Sequence, residues 1–168
     1  AFVFMRHIRH HHLSPAWLAP LASLSRRAGM PLTGLRLLNR QVFFAGRLNP
    51  KASSTEISEY AACLIRVGSP QEARKILASV DPSEVPRAFL YQAHALFADW
   101  RYAEAIPLLQ AFVEECQRTR SASEVVVGLV NLLAALVYER RHEEAQKVFT
   151  EAERLTQKEG LGHFLGNL

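Results

Sequence analysis

Apolar residues recur along this chain at the three- and four-residue spacing that lines up one face of an α-helix, in paired runs separated by a few polar positions. The clearest pair lies between Phe89 and Phe112. Phe89, Ala93, Leu96 and Phe97 share one face, and Ala105, Leu108, Leu109 and Phe112 share the next. Between them, Asp99, Trp100, Arg101 and Tyr102 are too few to carry one helix away from the other, so the two helices are predicted to fold back as an antiparallel hairpin. A hairpin of this size cannot bury both stripes alone and needs neighbours on each side.

The same frame recurs on both sides. Upstream, Ile57, Tyr60, Ala61 and Leu64 are followed by Ala73, Leu77 and Val80; downstream, Leu129, Leu132, Leu133 and Leu136 are followed by Ala145, Phe149 and Ala152. The three second-helix alanines are Ala73, Ala105 and Ala145, and the second interval is longer than the first.

Punctuation agrees with these helices. Ser14 with Pro15 opens a first helix ending at Gly29, and Pro20 requires that helix to start near Ala19 or to kink. Pro31–Ala45 reads as a second helix with Leu35, Leu38, Val42 and Ala45 inward and Gly46 as its stop, and Gly46–Lys51 reads as a hinge or boundary. Ser53 with Glu56 and Ser69 with Glu72 read as capping boxes, and Ser121 with Glu124 caps a later start. Arg118–Ser123 is expected to be a polar connection whose extra residues produce the longer second interval. Val125–Tyr138 is uncharged and apolar almost all round, which predicts a helix covered on both sides. Glu143–Lys158 forms the last helix, and the tail from Leu161 reads as the opening of another first helix. The predicted organisation is an irregular basic segment at 1–13, a helical pair or cap at 14–50, and helical repeats at 51–168 that continue beyond the C-terminal end.

These residues resemble a tetratricopeptide repeat, a helix-turn-helix unit of about 34 residues. Ala93 stands at its small first-helix position, Leu96 at the large apolar one, Tyr102 at the aromatic one and Ala105 at the alanine, with Leu109 and Phe112 following. The resemblance covers residues 55–158; the period is irregular, and Leu133 replaces the small residue in the third unit. It implies an all-α fold, a right-handed α-solenoid of antiparallel helix pairs with three repeats after an N-terminal pair.

Composition fits a packed protein: 168 residues, 49% hydrophobic and 21% charged. Charge changes the picture more. Residues 1–55 hold eight Lys or Arg, four His and no acid, whereas residues 56–168 hold twelve bases and sixteen acids, so the first third is +8 and the rest −4. Such asymmetry fits a nucleic-acid or membrane contact, an organelle presequence, a basic element on an acidic body, or arginines coating ordinary helix faces. The uncharged run from His10 to Ser25 is short and holds two prolines, so no membrane span is expected.

Candidate chemistry is sparse. Cys63 and Cys116 both fall on apolar stripes and are expected as buried thiols of a cytoplasmic protein, with the organelle matrix as the alternative. His10, His11 and His12 are adjacent and so do not share a helix face, and no carboxylate or cysteine lies near them; neither a metal site nor a cofactor is expected. There is no glycine-rich phosphate loop, no H-E-x-x-H and no nucleophile elbow, so catalysis is not expected.

In the tetratricopeptide family the first helices line a concave face that receives a peptide or a helix. Carried over residue by residue, the resemblance implies partner contacts at Glu59, Ala62 and Arg66, at Arg87, Leu90, Tyr91, His94 and Phe97, and at Val130, Asn131, Ala134 and Tyr138. The Lys and Asn pattern with which family members clamp a terminal carboxylate is missing, so a mixed apolar and basic groove is expected. The functional expectation is a non-catalytic protein-interaction scaffold. The alternatives are a sensor or oligomerisation segment of a larger regulator, since GLVNLLAALVYERRHEEAQKVFTEAERL looks like the long helical repeats of bacterial signal-responsive transcription regulators, and nucleic-acid binding through the basic first third. Self-association through apolar repeat ends is a further expectation.

Overall fold

A computed structural model describes residues 14–162. The described chain is all-α apart from one two-residue-per-strand hairpin. Its helices are α1 (Leu18–Arg27), α2 (Pro31–Val42), α3 (Ser54–Arg66), α4 (Pro70–Leu77), α5 (Arg87–Ala98), α6 (Tyr102–Arg118), α7 (Ala122–Tyr138) and α8 (His142–Lys158). Packing divides the chain into two compact units, one up to Tyr91 and one from Gln92, with the division inside α5.

In the first unit, Ser14 and Pro15 open a 3-10 turn, Pro15–Trp17, before α1 begins at Leu18. Pro20 therefore falls in the first helical turn, where its missing N–H leaves no bond unmade. Gly29, at φ +77°, reverses the chain into α2, and α1 packs on α2 and α3, α2 on α3, and α3 on α4. Leu18, Ala22, Leu38, Val42, Ile57, Ala61, Leu64, Ala73 and Leu77 share one core. Each fully buried leucine there contributes about 2 kcal/mol of apolar burial. Gly34 lets α2 approach closely: a Cβ at this position would lie 2.6 Å from the Cys63 sulfur and 3.2 Å from the Ala22 carbonyl oxygen.

The end of α2 departs from expectation. The helix stops at Val42, and β1 (Phe43–Phe44) pairs antiparallel with β2 (Arg47–Leu48) across a turn whose central residues, Ala45 and Gly46, both have positive φ. That is the twist-matched two-residue hairpin turn. Phe43 then meets Tyr60 edge-on at 5.3 Å, and Asn49 donates from its side chain to the Gln41 carbonyl at 2.8 Å, holding the hairpin against the helix end. The segment Gly46–Lys51, read as a hinge, is thus a strand and its following turn. Of the two capping boxes, Ser53 with Glu56 is complete; Ser69 occupies the N-cap of α4 but makes no side-chain capping bond.

In the second unit, α7 packs between α6 and α8. Ala105, Leu109, Phe112, Val126, Leu129, Leu136, Ala145 and Ala152 are buried. Ser121 stands at the N-cap of α7, again without a side-chain capping bond. Gly128 brings α7 against α6, since a Cβ there would lie 2.6 Å from a Val113 methyl and 3.0 Å from the Phe112 ring. Pro107 sits on the exposed side of α6, where its missing N–H removes one helical bond. The longer interval between Ala105 and Ala145 has a different origin from the expected one. The connection between α6 and α7 is short, and the extra residues lengthen the helices: α7 has 17 residues where α5 has 12. Although α7 is covered by both neighbours, its third side is open among the described residues, with Tyr138 61% exposed.

Candidate partner-binding surface

Three helices of the first unit meet at a buried polar cluster. Glu59 on α3 stands on an otherwise apolar stripe, and a carboxylate there needs donors. It has them: Tyr91 on α5 donates its hydroxyl to Glu59 Oε1 at 2.7 Å, and Arg26 on α1 bonds Glu59 Oε2 at 3.2 Å and the Tyr91 oxygen at 3.1 Å. The Arg26 guanidinium also lies 5.3 Å from the Tyr91 ring centre, a cation–π distance. Burial first and the Glu59 charge second push the Tyr91 phenol up to about 12; Arg26 opposes this, and so does a hydrogen bond from Arg87. Glu59 and Tyr91, expected on a partner-facing surface, are therefore buried and bonded to one another, with the half-buried Arg87 alongside. Ala62 and Leu90 are buried too. Arg66 is exposed at the C-terminal turn of α3.

The second unit holds a different arrangement. Asn131 on α7 donates its amide to the Val127 carbonyl at 2.8 Å, which turns its oxygen toward His94 Nε2 at 2.9 Å. With the amide so fixed, the His94 Nε2 carries the proton and donates. His94 lies 6.2 Å from Phe97, Phe97 is 4.9 Å from Tyr102, and Tyr102 stacks on Tyr138 at 4.3 Å with the rings only 4° from parallel. Trp100 stands edge-on to Tyr102 at 6.2 Å. Loss of solvent, then Tyr138, raises the Tyr102 phenol above its ordinary value. Four of the expected residues, His94, Phe97, Asn131 and Tyr138, thus lie on one polar-to-aromatic strip.

Trp100 anchors the exposed end of this strip. It is 75% exposed and occupies φ +60°, a left-handed position that costs a residue with a β-carbon about 1 kcal/mol relative to glycine. Arg120 and Arg140 hold the same conformation in the later turns, so the backbone geometry belongs to the helix-pair connections and the exposed indole is particular to this one.

Below Tyr138, the open side of α7 and the facing side of α8 form a groove of about 560 Å³ lined by Val130, Leu133, Val137, His142 and Phe149 among others. His142 is exposed at the groove's edge.

Sequence reading missed Arg26, Trp100 and Tyr102 as members of these arrangements. For Arg26 a signal existed: a lone carboxylate on the apolar stripe of α3 demands a cation, and the chain before Glu56 is rich in bases without a single acid. Cys63 and Cys116 are free and buried, and burial pushes the Cys63 thiol up to about 12. The His10–His12 run lies outside the described residues. Among the described residues no cluster of three metal-ligating side chains occurs, and no helix is long and apolar enough to cross a membrane.

No protein-family model matches the chain, and neither a curated protein nor a solved structure matches it.

Proposed function

We propose that this chain is a non-catalytic protein-interaction scaffold: a right-handed α-solenoid of tetratricopeptide-like helix pairs that holds an extended peptide or a helix of a partner protein against its first-type helices. The reading is supported most by the aromatic strip of the second unit, in which Tyr102 and Tyr138 from successive helix pairs stack in parallel and Trp100 is held largely in solvent at an unfavourable backbone angle. Large aromatics presented on a rigid helical frame supply contact area at low entropic cost, and tryptophan and tyrosine dominate binding hot spots. The His94–Asn131 pair sets one polar contact next to the aromatics, so the strip favours a ligand with an apolar anchor beside a hydrogen-bonding group.

The buried Arg26–Glu59–Tyr91 cluster has a supporting role in this account. It fixes α1, α3 and α5 against one another by charge-assisted bonds of defined geometry. Of the residues expected to contact a partner in the first unit, Arg66 is the exposed one and offers its charge to an acidic partner group.

The test uses short random peptides displayed on phage, selected on the immobilised chain and then synthesised. Trp100→Ala and Tyr138→Ala are each expected to weaken the selected peptides by at least about tenfold with unchanged helicity. Equal affinity for wild type and both variants would overturn the assignment of the strip.

A further inference from the structure

A cleft of about 290 Å³ lies wholly within the first unit, lined by Leu35, Arg36, Asn39 and Arg40 of α2 and by Tyr60 of α3. Arg36, Asn39 and Arg40 are three or four positions apart, so they share one side of the helix. Tyr60 is buried, and its hydroxyl donates to Asn39 Oδ1 at 3.3 Å. With that oxygen engaged, the Asn39 NH2 group has protons to give and makes no bond among the described residues. The cleft therefore collects two guanidinium forks and one amide, all donors, beside the half-buried Leu35.

These donors lack a protein acceptor. In the second unit Arg101, Arg118 and Arg141 each bond a glutamate three residues away, and in the first Arg26 bonds Glu59. Arg36 and Arg40 form no ion pair among the described residues, and the chain has no acid before Glu56. Burial first and Glu72 second raise the Tyr60 phenol, but Glu72 does not line the cleft. A cation in the last helical turn suits the helix C-terminus, which gives Arg40 a structural reason to be there. Arg36, a turn earlier, lacks that reason, and the two like charges repel one another. An anion held between them removes the repulsion. Its charge and shape narrow its class. A carboxylate has one charge and two oxygens and is satisfied by a single fork, as is a phosphodiester. A phosphate monoester carries about two charges at pH 7 and three free oxygens, enough for both forks and the amide.

We propose that the α2–α3 cleft binds the phosphate group of a monoester, with Arg36 and Arg40 on its oxygens, the Asn39 amide donating to it and the ester's carbon group against Leu35. The inference uses neither the aromatic strip nor the Arg26–Glu59–Tyr91 cluster and stands independently of the proposed function.

Titration of the full chain with phenyl phosphate, followed by NMR of side-chain N–H groups, tests it. The Asn39 amide and the Arg36 and Arg40 Nε–H signals are expected to move together along one saturable curve. Arg36→Gln and Arg40→Gln should each weaken binding at least about tenfold with unchanged helicity. Arg36→Lys keeps the charge without the fork and should fall between Arg36→Gln and wild type. Arg27→Gln removes the same charge from an exposed site on α1, outside the cleft, and should bind like wild type. Benzoate and a dinucleotide phosphodiester should bind more weakly than phenyl phosphate. A second arm uses phosphatidylcholine vesicles carrying phosphatidic acid: retention lost in Arg36→Gln, with phenyl phosphate bound weakly, identifies a lipid headgroup as the source, and tight phenyl phosphate binding identifies a soluble ester. The proposal is overturned by a titration that does not saturate, by benzoate binding as tightly, by Arg27→Gln weakening binding as much as Arg36→Gln, or by binding in both arms that ignores Arg36 and Arg40.

Discussion

Tyr91 donates a hydrogen bond from its hydroxyl to Glu59 across 2.7 Å, and the same carboxylate is held from its other side by Arg26. Because the three residues come from three helices, the bond network fixes relative helix position as well as satisfying a buried charge. Removing one partner and removing the charge altogether then have different consequences. Arg26→Ala leaves Glu59 buried without its cation and is expected to cost about 3 kcal/mol in urea denaturation. The double change Arg26→Met with Glu59→Leu should recover much of that loss. Equal losses in the single and double variants would contradict the coupling.

The same pair gives the stability a defined pH dependence. The Tyr91 phenol is raised from an ordinary value of 10.0 to about 12, so between those values the unfolded chain releases a proton that the native chain keeps. The stabilisation is fully present below pH 10 and is lost as pH rises through 12, by about 1.4 kcal/mol per unit of separation. Denaturation midpoints measured across this range should fall less steeply for Tyr91→Phe than for wild type.

Gly128 tests the packing of the second unit. Alanine is the better helix former by about 1 kcal/mol, yet its Cβ would press on Val113 and Phe112 inside a filled interface. Gly128→Ala is expected to destabilise by about 1 kcal/mol net, read from thermal unfolding. A more stable protein would mean that α6 and α7 are less tightly packed than described.

How much of this was legible in the sequence divides along physical lines. Most helix positions and inward faces were, because burial is dictated by local periodicity: Ala73, Ala105 and Ala145 are all buried, and the complete capping box at Ser53 marks a start, whereas Ala45, expected inward, is exposed in the hairpin turn. The hairpin after Val42 was not, because Val42-Phe43-Phe44 continues the helical apolar period, and only the positive φ of Ala45 and Gly46 distinguishes a turn from a helix end. The candidate site was half legible. His94, Phe97, Asn131 and Tyr138 fall on one strip. First-helix position alone could not tell that Glu59 and Tyr91 face inward, since that depends on Arg26, which arrives from α1, two helices before α3 and four before α5.

Trp100 separates stability from function. At φ +60° a glycine is relaxed where tryptophan is strained, so Trp100→Gly should stabilise the fold by up to about 1 kcal/mol while weakening ligand binding. Chemical denaturation read beside peptide affinity checks both signs, and a variant that gains or loses both together would contradict the assignment.

The most direct measurement of the central claim is the affinity of a peptide selected from a random displayed library, titrated by fluorescence anisotropy into wild type, Trp100→Ala, Tyr138→Ala and, as a control in the first unit, Lys75→Ala. The account predicts at least about tenfold weaker binding to the two aromatic variants and no change for the control. Binding that is indifferent to Trp100 and Tyr138 would contradict it.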